Sequence, residues 1–213
     1  MFIQVEDTPN PDALKFKPGV PVMGASGPVL EYLDGRSAHP SPLARRLFRV
    51  DGVKSVLLGP DFITISKDPE DPWQLMKPDL FASIMDHFAS GQPVYNPEAE
   101  AAGGAADTAP DEDDDEVVAM IKELLDSRIR PAIQEDGGDV EFKGFDHDSG
   151  IVKLMLKGSC RSCSSSTVTL KNGIEQMLMH YLPEVLSVEQ VTDELEDLAS
   201  QEFAKLEKKL AQE

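Results

Sequence analysis

Cysteine is almost missing from this chain, whose 213 residues include only Cys160 and Cys163. Disulfide stapling cannot hold the fold, and a reducing compartment would leave both sulfurs as thiolate ligands or nucleophiles. Cations are scarce as well: 20 Lys and Arg face 39 Asp and Glu, for a net charge of -19. A field of that sign repels phosphate backbones and anionic lipid, so nucleic acid is not an expected partner. No run of residues approaches the roughly 18 apolar positions of a membrane span, so no membrane partner is expected. The N-terminus shows neither a secretory pattern nor an Arg-rich, acid-poor transit segment, and the chain reads as cytoplasmic. Phosphate-cradling glycine motifs are absent, as is a Ser or Cys nucleophile with a local base. ATP use and hydrolysis therefore lack support, and no enzyme activity is expected.

What is present suits a folded protein. Hydrophobic residues are 40% and charged residues 28%, and the length is enough for one or two ordinary cores. The acidic excess is uneven: residues 93–116 carry nine acids and no base. From Gly91 to Glu116, Pro, Gly, Ala and acids displace the aromatic and branched residues that a core needs, so this stretch reads as a flexible acidic linker. Its typical reach is about 25 Å. Its last acids, Asp111 to Glu116, run into the periodic Val117, Ile121, Leu124, Leu125 and Ile129, where they favour a helix N-terminus.

Ahead of the linker, Phe2 to Val5 and Ala13 to Phe16 read as strands, followed by a Gly/Pro-rich stretch. Ser41-Pro42 offers an N-cap and a first-turn proline for a helix through Leu47 and Phe48. Val53 to Leu58 and Phe62 to Ser66, joined by Gly59-Pro60-Asp61, form an expected hairpin. A helix or helical pair spans about Pro72 to Ala89 on Leu75, Leu80, Ile84, Met85 and Phe88, with a break expected at Lys77, before Pro78. After the linker come a helix ending near Pro131, a polar turn at Glu135 to Asp139, strands at Val140 to Phe145 and Ile151 to Lys157, a helix from about Ser164 to Leu182, and a short strand at Val185 to Val191. From Asp193 onward, Leu195, Leu198, Phe203, Leu206 and Leu210 mark a terminal amphipathic helix. The fold class is α+β: two small α+β domains, at 1–92 and 117–191, are joined by the linker at 93–116 and followed by a helical extension at 192–213.

The chemistry concentrates in Cys160-Arg161-Ser162-Cys163. Two cysteines scattered at random in this length would fall three apart only about once in a hundred arrangements. The pair lies between a strand and a helix start, where unpaired backbone N–H groups and the helix dipole favour thiolate, and Arg161 and Lys157 add positive charge. Such a pair can shuttle electrons as a dithiol, supply half of a tetrahedral zinc site or supply half of the ligands of an iron–sulfur cluster, and spacing alone does not separate these. A Cys-only site with four ligands would have to be shared between two chains. His180, within an apolar helical stretch, reads as structural or surface-facing, and His147 sits in a polar turn.

In the second domain, Arg128-Ile-Arg-Pro131, Gln134-Glu-Asp-Gly-Gly-Asp139, Gly158-Ser-Cys-Arg-Ser-Cys163 and Ser165-Ser-Thr-Val-Thr-Leu-Lys171 occur in order. This set resembles the NifU-like (Nfu-type) iron–sulfur domain. Thr8-Pro-Asn-Pro11, Leu14-Lys-Phe16, Ser41-Pro-Leu-Ala44 and Asp61-Phe-Ile-Thr64 resemble the N-terminal domain of the same two-domain family. Ser164 and Ser162 stand where the family commonly has Pro and often has Gly. The resemblance implies a scaffold or carrier that binds a 4Fe-4S cluster between two subunits, with Cys160 and Cys163 as ligands. It further implies a homodimer on cluster binding, upstream iron–sulfur assembly machinery as the source, and apo iron–sulfur client proteins as recipients.

Overall fold

Side chains two apart in each strand share a face, and this period builds the first sheet. The computed structural model describes residues 2–24, 27–96, 115–160 and 164–191, with the side chains of 164–170 left out. Strands β1 (Gln4–Asp7), β2 (Ala13–Lys17), β3 (Leu30–Tyr32), β4 (Val53–Leu58) and β5 (Ile63–Lys67) form an antiparallel sheet in the order β1-β2-β5-β4-β3. On one face Leu14, Phe16, Leu30, Val56, Leu58, Ile63 and Ile65 are buried against helices α1 (Pro42–Leu47) and α2 (Trp73–Ser90). Each such side chain contributes about 1.5–3 kcal/mol by leaving water. Strand β3 was not legible in the Gly/Pro-rich stretch, because three residues are too few to show a period; its Leu30 and Tyr32 nevertheless face the core.

Helix α2 runs unbroken through Pro78, so the single helix forms and not the pair broken at Lys77. Met76, Leu80 and Ile84 are anchored in the core on either side of the proline, and this packing outweighs the one backbone bond that proline removes. The buried stripe is also rotated from the expected one: Leu75 and Met85 are exposed, while Met76 and His87 are buried. Both His87 ring nitrogens are buried without a hydrogen bond, and burial, then the nearby Arg46 charge, push its pKa down. Gly91, at φ 68°, ends the helix in the left-handed conformation.

The second unit begins at Asp115, whose side chain accepts the Val118 N–H at 2.8 Å and caps helix α3 (Glu116–Leu124). The helix does not stop near Pro131. A wider π turn at Leu125–Ile129 joins it to α4 (Arg130–Glu135); the widening accommodates Pro131, which has no N–H and whose ring crowds the preceding turn. Ile121, Leu125, Ile129 and Ile133 line the buried side. They pack on a three-stranded sheet of β6 (Gly138–Asp146), β7 (Ile151–Gly158) and β8 (Ser187–Gln190) in sequence order. Strand β8 pairs parallel to β7 after helix α5 (Ser164–Tyr181), as a crossover connection requires. Residues 97–114 of the expected linker and the expected helix in 192–213 lie outside the described residues.

The start of the expected linker is packed against the first unit. Val94 and Tyr95 lie on its core, the Asn96 N–H donates to the Pro40 carbonyl at 2.9 Å, and the Ser41 hydroxyl donates to the Val94 carbonyl at 2.7 Å. The same hydroxyl accepts the Ala44 N–H at 3.0 Å, so one fully buried oxygen both caps α1 and fastens the strap. Ser41→Ala should lower stability by about 1–2 kcal/mol. Urea denaturation followed by Trp73 fluorescence checks this, since the indole Nε1–H of Trp73 donates to the Pro11 carbonyl within this unit.

Candidate functional site

A glycine-lined hairpin end positions the first cysteine. Strand β7 ends at Gly158, whose φ of +67° turns the chain out of the sheet. Ser159 and Cys160 follow, both buried, and α5 opens at Ser164. The strand-to-helix setting expected for the pair is therefore present at Cys160. Arg161, Ser162 and Cys163 lie outside the described residues.

Opposite Gly158 in the register is Gly138, the first residue of β6. A methyl group there would fall 2.5 Å from Cys160 Sγ and 2.9 Å from the Lys157 carbonyl. The cysteine sulfur thus occupies the space where a side chain at Gly138 would be. Ser159 ties the cysteine loop to the turn before β6: its hydroxyl donates to the Asp136 carbonyl at 2.7 Å, and its N–H points to the Gly137 carbonyl at 3.4 Å. The same hydroxyl lies 3.7 Å from Cys160 Sγ. Gly137 has φ +77°, so the polar turn expected at Glu135 to Asp139 is a tight turn that also shapes the seat of Cys160. Asp139, the second residue of β6, is buried, with Gln134 Nε2 at 3.5 Å and Arg130 Nε at 3.9 Å.

Other expectations for the site change. The ammonium of Lys157 lies 2.8 Å from Glu141 on the neighbouring strand, so its charge is shared with that carboxylate. Burial works against the charged form of Glu141, but hydrogen bonds from Lys143 and Lys157 outweigh it and hold the carboxyl below its ordinary value. His180 is exposed, as a structural reading allows. His147 Nε2 lies 3.0 Å from Asp115, so it pairs with the cap of α3. The signal missing from the sequence is steric: the order of residues marks a polar turn around Gly137 and Gly138 and does not show that a sulfur fills the space beside Gly138.

The comparisons agree with this architecture. The family model described as a NifU-like domain matches residues 121–189, and that of the scaffold protein Nfu/NifU N terminal matches residues 3–91. Together they define a NifU-type scaffold protein. The chain is 57% identical over 212 residues to a Drosophila virilis protein named NFU1 iron-sulfur cluster scaffold homolog, mitochondrial, covering 100% of this chain and 69% of the relative. The Drosophila sechellia protein of the same name is 58% identical over 210 residues, covering 99% and 72%. The chain belongs to the Nfu family of iron–sulfur cluster scaffold proteins. A solution structure of a NifU-like protein from Saccharomyces cerevisiae aligns with a TM-score of 0.41 at 28% identity, covering 45% of this chain and 84% of that one.

The relatives are named as mitochondrial proteins, which overturns the cytoplasmic expectation. That reading rests on the N-terminal residues and the lack of a long apolar run, and neither of these records a compartment. Among the described residues no helix is long and apolar enough to cross a membrane.

Two outcomes follow from this geometry. Gly138→Ala should destabilise the second unit by about 1–3 kcal/mol, because both the sulfur and a backbone carbonyl must shift; urea denaturation followed by far-UV circular dichroism measures it. The lowered Glu141 carboxyl stabilises the fold at neutral pH, and this contribution is lost as pH falls from the ordinary value of 4.5 through the lowered one. The stability difference between the native chain and Glu141→Gln should therefore shrink on acidification across that window, in parallel urea titrations.

Proposed function

We propose that this scaffold carries a 4Fe-4S cluster bridged between two subunits, held by Cys160 and Cys163 of each, and passes it to apo-proteins without acting as an enzyme. The observation that carries the reading is the seat of Cys160. A thiol at a strand-to-helix junction, packed against a glycine and next to a serine hydroxyl, is a soft donor on a built support rather than a stray core residue. The chain has no third cysteine. A cubane cluster wants four sulfur ligands, and a two-fold dimer supplies them by repeating one C-x-x-C pair, so cluster binding and homodimer formation are linked.

The cluster is cargo. Ligation by two short-spaced thiolates from each chain lets the cysteines of a client replace them one at a time, which suits transfer better than a four-cysteine cage within one chain. Upstream assembly machinery supplies the cluster, and apo iron–sulfur proteins receive it. We assign residues 117–191, with the capping turn from Asp115, as the cluster domain, 1–92 with the strap at 93–96 as the N-terminal domain, the stretch between them as the linker and 192–213 as an extension. The extents of the two family matches, 121–189 and 3–91, support this division.

Anaerobic reconstitution with iron and sulfide should give about four of each per two chains, with the coloured species at dimer mass. Cys160→Ser and Cys163→Ser should each lose the cluster while remaining folded by circular dichroism. Iron and sulfide contents unchanged in either variant would contradict the assignment, as would zinc retained in place of iron.

A further inference from the structure

The face of the first sheet turned away from its helices carries one side chain from each of four adjacent strands in a single row. The register places Lys15 of β2 opposite Thr64 of β5, Thr64 opposite Leu57 of β4, and Leu57 opposite Glu31 of β3. A sheet face of this composition would normally be solvated. Here Lys15 is 3% exposed, and Thr64 and Leu57 are each 1% exposed.

All four residues of the row meet the hairpin end that seats Cys160. The Lys15 ammonium donates to the carbonyls of Gln134 and Glu135 at 2.9 and 3.0 Å, capping the C-terminal end of α4, where a cation is favoured. The Thr64 hydroxyl donates to the Gly137 carbonyl at 2.7 Å. The Gly158 N–H donates to Glu31 Oε1 at 2.8 Å, a charge-assisted bond. A methyl group on Gly158 would lie 3.0 Å from Leu57 Cδ1, and one on Gly137 would lie 3.0 Å from Thr64 Oγ1. Each polar end of the row therefore lands on main chain, and two glycines leave room for the approach.

We infer that the open face of the first sheet is a docking surface for the turn behind Cys160, and that docking holds Ser159 and Cys160 in a closed resting state. The coupling is short. Thr64 holds the Gly137 carbonyl, to which the Ser159 N–H also points, and Cys160 is the next residue. Cys160 is 4% exposed, so its sulfur cannot meet an iron shared with a second copy until the turn behind it undocks. This last step rests on the bridged-cluster reading; the docking itself does not.

The test uses the full-length, reduced, metal-free chain. The Gly158 amide is the direct reporter, because its acceptor belongs to the other unit. Its hydrogen exchange should be slow in the native chain and about tenfold or more faster in Glu31→Ala combined with Thr64→Val. In a Cys163→Ser background, alkylation of Cys160 by iodoacetamide should accelerate by a similar factor with the same pair of changes, while Glu31→Gln alone gives a smaller effect. A Gly158 amide in the native chain that exchanges as fast as an exposed loop would overturn the docking, and that measurement needs no variant to fold. Equal alkylation rates in native and double-variant chains that match by circular dichroism would overturn the closed state. Neither readout involves iron, so the docking surface can fail while the cluster assignment stands, and the reverse also holds.

Discussion

The structure depends on three positions that have no side chain. Gly137, Gly138 and Gly158 meet at one end of the β6–β7 hairpin, and the space they leave is filled from two directions. Cys160 Sγ enters from within the second unit against Gly138. Thr64 and Leu57 enter from the first unit against Gly137 and Gly158. Side chains at these positions would push the sulfur off its seat and the sheet off the turn, because close-packed interiors have little slack to absorb a methyl group.

The two sheets have opposite ways of using polar groups. In the second unit Glu141, Lys143 and Lys157 pair with one another along the hairpin, leaving the cysteine end governed by main-chain hydrogen bonds and steric fit. In the first unit the polar row points away from its own core and finds its partners on the other unit. Burying an ammonium, a hydroxyl and a carboxylate is costly unless each reaches a partner. Lys15 shows the balance: burial is the main influence lowering its pKa, against the opposing attraction of Glu6. Contacts made through a few hydrogen bonds can be exchanged for water without dismantling either core.

The elements were largely legible. Ser41-Pro42 marked the start of α1, and Gly59-Pro60-Asp61 marked the turn between β4 and β5; both are local chemistry that acts over a few residues. The misreadings arose where packing overrides local preference. Pro78 does not break α2 and Pro131 does not end the α3–α4 helix, since buried neighbours hold each in line. The apolar spacing in α2 pointed to Leu75 and Met85, yet the core takes Met76 and His87, because Leu75 and Met76, like Met85 and Ile84, are adjacent in sequence and only the orientation of the docked helix selects between them. The compartment was misread for a different reason, as no feature of a folded core encodes it.

By itself the sequence determined the α+β class, the cysteine pair at a strand-to-helix junction and the family resemblance, since each is carried by residues close together in the chain. The tertiary structure alone decided that a glycine makes room for the Cys160 sulfur and that Lys15, Thr64, Leu57 and Glu31 form one row facing it. Those four residues are scattered from position 15 to position 64, and their partners lie between 134 and 158. Only strand register and the docking of one sheet on the other bring them together, and neither is a local property of the chain.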